Sequence, residues 1–159
     1  MYGGFMGAAQ TAPFTHLWES DTAIITTIFF FAALTYAAVQ DIRTKEVGDY
    51  IHVIIAVTAL ISFDRANLPA MLIGAVVTAL PLFIAGVAKR GSIGGADIKL
   101  MAASGLILGA VGGIIALIIG LFLGVGCTYA YRKLKKADMK RSFPFVPFLA
   151  VGCVVAYLF

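Results

Sequence analysis

Apolar residues in this chain come in long runs separated by short polar intervals. Six runs occupy 23–40, 50–63, 68–88, 97–109, 111–131 and 144–159. The first, third and fifth hold 18, 21 and 21 residues. At about 1.5 Å per residue, each can cross a hydrocarbon layer of about 30 Å as a helix. The second, fourth and sixth hold 14, 13 and 16 residues and are flanked by residues that could extend them. The pattern predicts an all-α, polytopic membrane protein of about six transmembrane helices. Four spans with two re-entrant segments is the alternative.

Composition agrees. Of 159 residues, 61% are apolar and only 13% charged, with a mean hydropathy of +0.98. A soluble domain is roughly 45–50% apolar and about 25% charged. That leaves too little polar surface for a soluble enzyme, a nucleic-acid binder or a disordered chain. The net charge of +4 does not bring nucleic acid back as a partner, because basic residues in a membrane protein first report topology.

Eleven of the twelve basic residues follow the first, third and fifth runs: Arg43, Lys45, Lys89, Arg90, Lys99 and the cluster Arg132 to Arg141. Arg65 is the exception. Alternate connections are basic, as six spans with both termini outside would give. This predicts a multi-pass membrane protein with its basic loops in the cytoplasm. Residues 1–22 lack Lys and Arg, and so lack the basic start of a signal peptide. With Phe14, Leu17 and Trp18 beside Glu19 and Asp21, they are expected to form an extracytoplasmic, interfacial segment before a membrane domain over 23–159. The run 132–141 is expected to lie against anionic lipid, which makes membrane lipid a partner. Cys127 and Cys153 sit in apolar runs and read as buried free thiols. His16 and His52 form no zinc-ligand spacing, so no metal or cofactor is expected. Gly105/Gly109, Gly109/Gly113 and Gly120/Gly124 would let spans four and five pack backbone to backbone.

Charge inside a membrane is expensive, so each acid at a span is a candidate site. Asp41 ends the first run and Asp97 opens the fourth, 56 positions later, and the topology puts both at the cytoplasmic side. Two carboxylates in one low-dielectric cleft cannot both ionise, so such a pair shares a proton near neutral pH. Its ionised member can take a proton from water while the neutral one polarises a carbonyl, the acid–base arrangement of aspartic proteases. The plainer reading is that both acids only mark helix ends, with Asp97 as an N-terminal cap.

Three segments look familiar. Gly94-Gly95-Ala96-Asp97-Ile98-Lys99-Leu100 resembles the Gly-x-Gly-Asp-(apolar)-Lys-Leu motif of type IV prepilin peptidases. Asp41-Ile42-Arg43-Thr44-Lys45-Glu46-Val47-Gly48-Asp49 resembles their first motif, an Asp followed by basic residues and an apolar-Pro-Asn or apolar-Pro-Asp triplet. Phe143-Pro144-Phe145-Val146-Pro147-Phe148-Leu149 resembles the Pro-Phe-x-Pro-Phe-Leu segment that opens their last span. The segments stand in family order. Ala96 replaces the usual second glycine and Gly48 the usual proline, changes that bear on the stiffness of the two turns.

The resemblance implies a membrane aspartic endopeptidase. It would remove the short basic leader of prepilin-like precursors, after a Gly and just before their hydrophobic helix, at the cytoplasmic face. Asp41 and Asp97 are then catalytic, and Asp49, Gly94, Gly95 and Lys99 support the site. The chain resembles the short form, without the cysteine-rich cytoplasmic loop of members that also N-methylate their product. Lys99 could equally snorkel to headgroups or meet substrate, His52 reads as a hydrogen-bonded interface residue, and Phe29-Phe30-Phe31 reads as packing. Two other classes compete: a proton-coupled transporter or channel using the same acids, and a non-catalytic assembly scaffold.

Overall fold

The computed structural model describes residues 21–61, 68–88, 94–135 and 144–159. They form five helical elements: α1 (Asp21–Thr44), α2 (Asp49–Ile61), α3 (Leu68–Ala88), α4 (Gly95–Lys135) and α5 (Val146–Leu158). Segment 1–20, Arg65, the basic pair Lys89 and Arg90, and 136–143 lie outside the described residues. The all-α, membrane character stands, but not the count of six. Among the described residues α1, α3 and α4 are long and apolar enough to cross a membrane, whereas α2 and α5 have 13 residues each.

The fourth and fifth apolar runs form one element, interrupted at Gly109 (φ 68°, ψ −174°). That left-handed backbone is open to glycine and strained for other residues. The chain doubles back there. A Cβ on Gly113 would lie 3.9 Å from the Gly105 Cα, whereas eight residues of straight helix rise about 12 Å. The two arms of α4 therefore run back along each other, and the second returns to the end where Asp97 began.

Helix α3 packs along α4, and α4 against α5; α2 touches α1 and α4, and α1 touches α5. Small residues make the closest approaches, since lipid offers no hydrophobic drive between helices and contact must come from packing. A Cβ on Gly74 of α3 would come within 2.7 Å of the Gly109 Cα. Thr78 Oγ1 lies 2.8 Å from both the Gly74 and Met101 carbonyl oxygens, pinning α3 to α4. Gly120 and Gly124 receive Leu149 and Phe145 of α5. These glycines thus serve α3 and α5 more than the contact between spans four and five expected from their spacing.

The core is thin: Phe30, Leu34, Ile51, Ile55, Leu82, Leu100, Met101 and Leu149 are its largest buried members. Outside it, large apolar side chains such as Val111, Phe122 and Ile73 stay mostly uncovered, which suits a surface solvated by lipid. The Phe29–Phe31 run divides accordingly. Phe30 is buried and Phe31 packs edge-on to Tyr157, whereas Phe29 faces outward. Cys153 is buried as expected, but Cys127 is exposed on α4; its apolar run is an outer face rather than protein interior.

Candidate active site

Asp41 lies in the last turn of α1, with 7% of its surface exposed. Its Oδ2 accepts the Val146 backbone N–H at 3.1 Å, and the Phe145 N–H also reaches the carboxylate. The first turn of α5 has unsatisfied N–H groups, its N-cap Phe145 has no capping side chain, and proline follows at Pro147. Asp41 supplies that cap from another helix, and the positive end of α5 favours an anion there.

Asp97 is the third residue of α4 and is equally buried. Its Oδ2 accepts the Gly94 N–H at 3.3 Å while its own N–H donates to the Gly94 carbonyl at 3.1 Å. This is the acidic half of a capping box. The plain reading of both acids as helix-end residues is therefore true of their hydrogen bonds. It is incomplete, because the two carboxylates also lie within direct electrostatic reach of each other. Helices α1 and α4, which carry them, make no close backbone approach among the described residues, whereas α2 and α5 each pack against both.

The residues expected to support the site lie at the starts of α2 and α4. A Cβ on Gly94 would sit 3.2 Å from the Asp97 Oδ2, so a small residue leaves the carboxylate room. Gly95 has open space beside it. Ala96 lies in α4 with ordinary backbone angles, so alanine there introduces no strain. Lys99 neither snorkels nor stands free: its Nζ is 2.6 Å from the Asp49 Oδ1. The hydrogen bond from Lys99 holds the Asp49 carboxyl below the usual carboxylate range. Gly48 opens α2, its carbonyl accepting the Ile51 N–H at 3.1 Å. Its N–H donates to Gln40 Oε1 at 3.3 Å, a bond a proline could not make. The Tyr50 ring occupies the space where a Cβ would project from Gly48.

His52 is buried as expected, but neither ring nitrogen has a hydrogen-bond partner among the described residues. Sequence reasoning missed Gln40, a single amide at the end of an apolar span and next to an acid, which was a usable signal. It also missed the Val146 N–H, for which no side-chain pattern could speak. Beside Phe145 lies a shallow, almost wholly apolar groove of about 270 Å³, lined also by Gly124, Val125, Thr128 and Tyr129 of α4.

Comparison with known proteins bears on this geometry. The sequence pattern of the type IV leader peptidase family matches residues 28–129, a stretch that contains both aspartates. The prepilin leader peptidase/N-methyltransferase of Bacillus subtilis (strain 168) is 30% identical over 140 residues, covering 83% of this chain and 54% of the relative. The chain thus spans about half the length of that curated relative. No solved structure matches it. With the family pattern spanning more than half of its residues, the chain belongs to the type IV leader peptidase family.

Proposed function

We propose that this protein is a membrane aspartic endopeptidase that removes the leader of prepilin-like precursors, with Asp41 and Asp97 as its catalytic pair. The observation that carries this reading is the pair itself: two buried acids, 56 positions apart in sequence, within electrostatic reach of each other. Family membership supports a peptidase over a proton-coupled transporter.

The chemistry follows from one shared proton. The ionised carboxylate takes a proton from water, and the resulting hydroxide attacks the scissile carbonyl carbon. The protonated carboxyl donates to the carbonyl oxygen as the tetrahedral intermediate forms. Collapse breaks the C–N bond, and a proton passes to the leaving amine, giving an acid and an amine from peptide and water. Helix α5 holds Asp41 and the α4 turn holds Asp97, so neither carboxylate needs reorientation during the step. Asp49, Gly94, Gly95 and Lys99 shape the site without exchanging protons with substrate.

The apolar groove beside Phe145 suits the first apolar side chains after the cut, because Phe145 also offers its N–H to Asp41. A Gly before the cut lets the precursor unwind into the extended form that attack requires. We place the site at the cytoplasmic face of a domain over 23–159 that crosses six times when the two arms of α4 are counted separately, with both termini outside, on the distribution of basic residues. Thiol labelling of single cysteines at 46 and 94 from the cytoplasmic side tests that placement, and labelling only from outside would reverse it.

The direct test is incubation of purified protein with a pilin-like precursor, followed by N-terminal sequencing of the product. Asp41→Asn and Asp97→Asn are each expected to lower cleavage by at least about 10³-fold while the protein remains folded in the membrane. Full cleavage by either variant contradicts the mechanism. The same product shows whether a methyl group has been added.

A further inference from the structure

The two acids stand on different helices, which raises the question of what sets their separation. Helices α1 and α4 make no close backbone approach among the described residues, whereas α2 and α5 each pack against both and so link the ends that carry the acids. On the α5 side the link is the Val146 N–H on Asp41. On the α2 side there are two links within one turn.

Gln40, the neighbour of Asp41, accepts the Gly48 N–H at 3.3 Å and lies 3.5 Å from the Tyr50 hydroxyl. Asp49, the neighbour of Gly48, holds Lys99 at 2.6 Å. Lys99 lies two residues after Asp97. The path Asp41, Gln40, Gly48, Asp49, Lys99, Asp97 is therefore continuous, with two hydrogen bonds and otherwise only local covalent chain. Tyr50 braces it, since its ring covers Gly48 and its hydroxyl donates to the Tyr36 hydroxyl at 3.0 Å. We propose that the first turn of α2 is the spacer that sets the separation of Asp41 and Asp97, with Gln40 and Lys99 as its positioning residues. This rests on the reading of the pair as catalytic.

Exposed ion pairs contribute little to stability, and both Lys99 and Asp49 are more than half exposed. The value of this one is geometric. A displacement of about 1 Å between reacting groups can cost about 10²-fold in rate. Positioning also predicts a signature that a purely structural role does not. When two carboxylates move apart their coupling weakens, and the acid and alkaline limbs of the pH–rate profile approach each other. The titratable side chains at this end include Tyr36, Arg43, Lys45, Glu46, Asp49, Tyr50, His52 and Lys99, with Tyr129, Tyr131 and Lys133 on the returning arm of α4. Of these only His52 has an ordinary value near neutrality, so a His52→Leu background keeps the readout on the pair.

The test uses the full chain in lipid nanodiscs with a pilin-like precursor. Gln40→Leu and Lys99→Met are each expected to lower kcat about tenfold with KM within threefold, and to narrow the pH profile. The double variant is expected to fall little below the worse single one, because both cut the same path. Gln40→Glu keeps an acceptor for Gly48 and is expected to retain most of kcat. Additive losses with a pH profile superimposable on the parent overturn the proposal. So does a rise in KM alone, which would make Lys99 a substrate contact. An arm independent of activity measures the distance between spin labels at positions 43 and 102 in a Cys127→Ser background. Gln40→Leu is expected to broaden that distribution, and an unchanged one overturns the spacer. If the parent protein cleaves no precursor, the peptidase reading fails and the distance measurement alone decides the spacer.

Discussion

Lys45 is the only non-glycine residue among those described with a left-handed backbone, φ 56°. It ends α1 by donating its N–H to the Asp41 carbonyl at 2.9 Å, and Thr44 Oγ1 secures the same turn through the Gln40 and Glu46 carbonyls. A Cβ at such a φ costs about 1–2 kcal/mol, of which glycine returns about half through its freer unfolded chain. Lys45→Gly is therefore expected to stabilise the protein by about 0.5 kcal/mol, read from reversible unfolding in mixed micelles. A loss of stability would show that the lysine side chain makes a contact worth more than its strain. His52 offers a contrasting case. A buried imidazole without partners contributes no hydrogen bond that its removal would break. His52→Leu is expected to leave kcat/KM within about twofold of the parent. A larger loss would place the imidazole in the reaction.

At the scale of elements, the reversal at Gly109 decides more than any other feature of the fold. Without it, the stretch from Asp97 to Gly124 would extend about 40 Å, and Gly124 could not meet Phe145 beside Asp41. Gly109→Ala keeps the space, since a Cβ there meets nothing within 4 Å, but not the backbone angle. It is expected to destabilise the protein by about 1–3 kcal/mol, seen as a lower unfolding midpoint, and to weaken cleavage as the hairpin loosens. Unchanged stability would mean that the turn has another conformation of equal energy. The same reversal makes the fourth and fifth apolar runs two helical arms that meet at a single non-helical residue, without an intervening loop. The glycine cluster around 109–113 signalled an interruption. Its angle, and the choice of α3 and α5 as neighbours, depended on Gly74, Thr78 and Phe145 in other helices.

At the scale of the whole molecule, the proposed mechanism requires the two acids to act as one unit. A shared-proton pair is active only when singly protonated. Cleavage is expected to follow a bell-shaped pH profile, falling in acid as both carboxyls are protonated and in alkali as both ionise. A single limb, measured as kcat/KM against pH, would contradict a pair. What the amino-acid sequence determined by itself is what depends on local pattern. Long apolar runs and few charges require lipid, whatever the packing. Acids at the ends of such runs stand out because burying them is costly. The order of three short motifs carried the family.

Tertiary structure alone decided which polar groups meet. Asp41 reaches Val146 across 105 positions, and Lys99 reaches Asp49 across 50. Neither pairing has a period or spacing to announce it. Lys99 had as much reason to seek headgroups as an acid, and a backbone N–H carries no side-chain signature at all. Helix ends leave backbone groups unsatisfied, and which neighbour satisfies them is settled by how the helices pack.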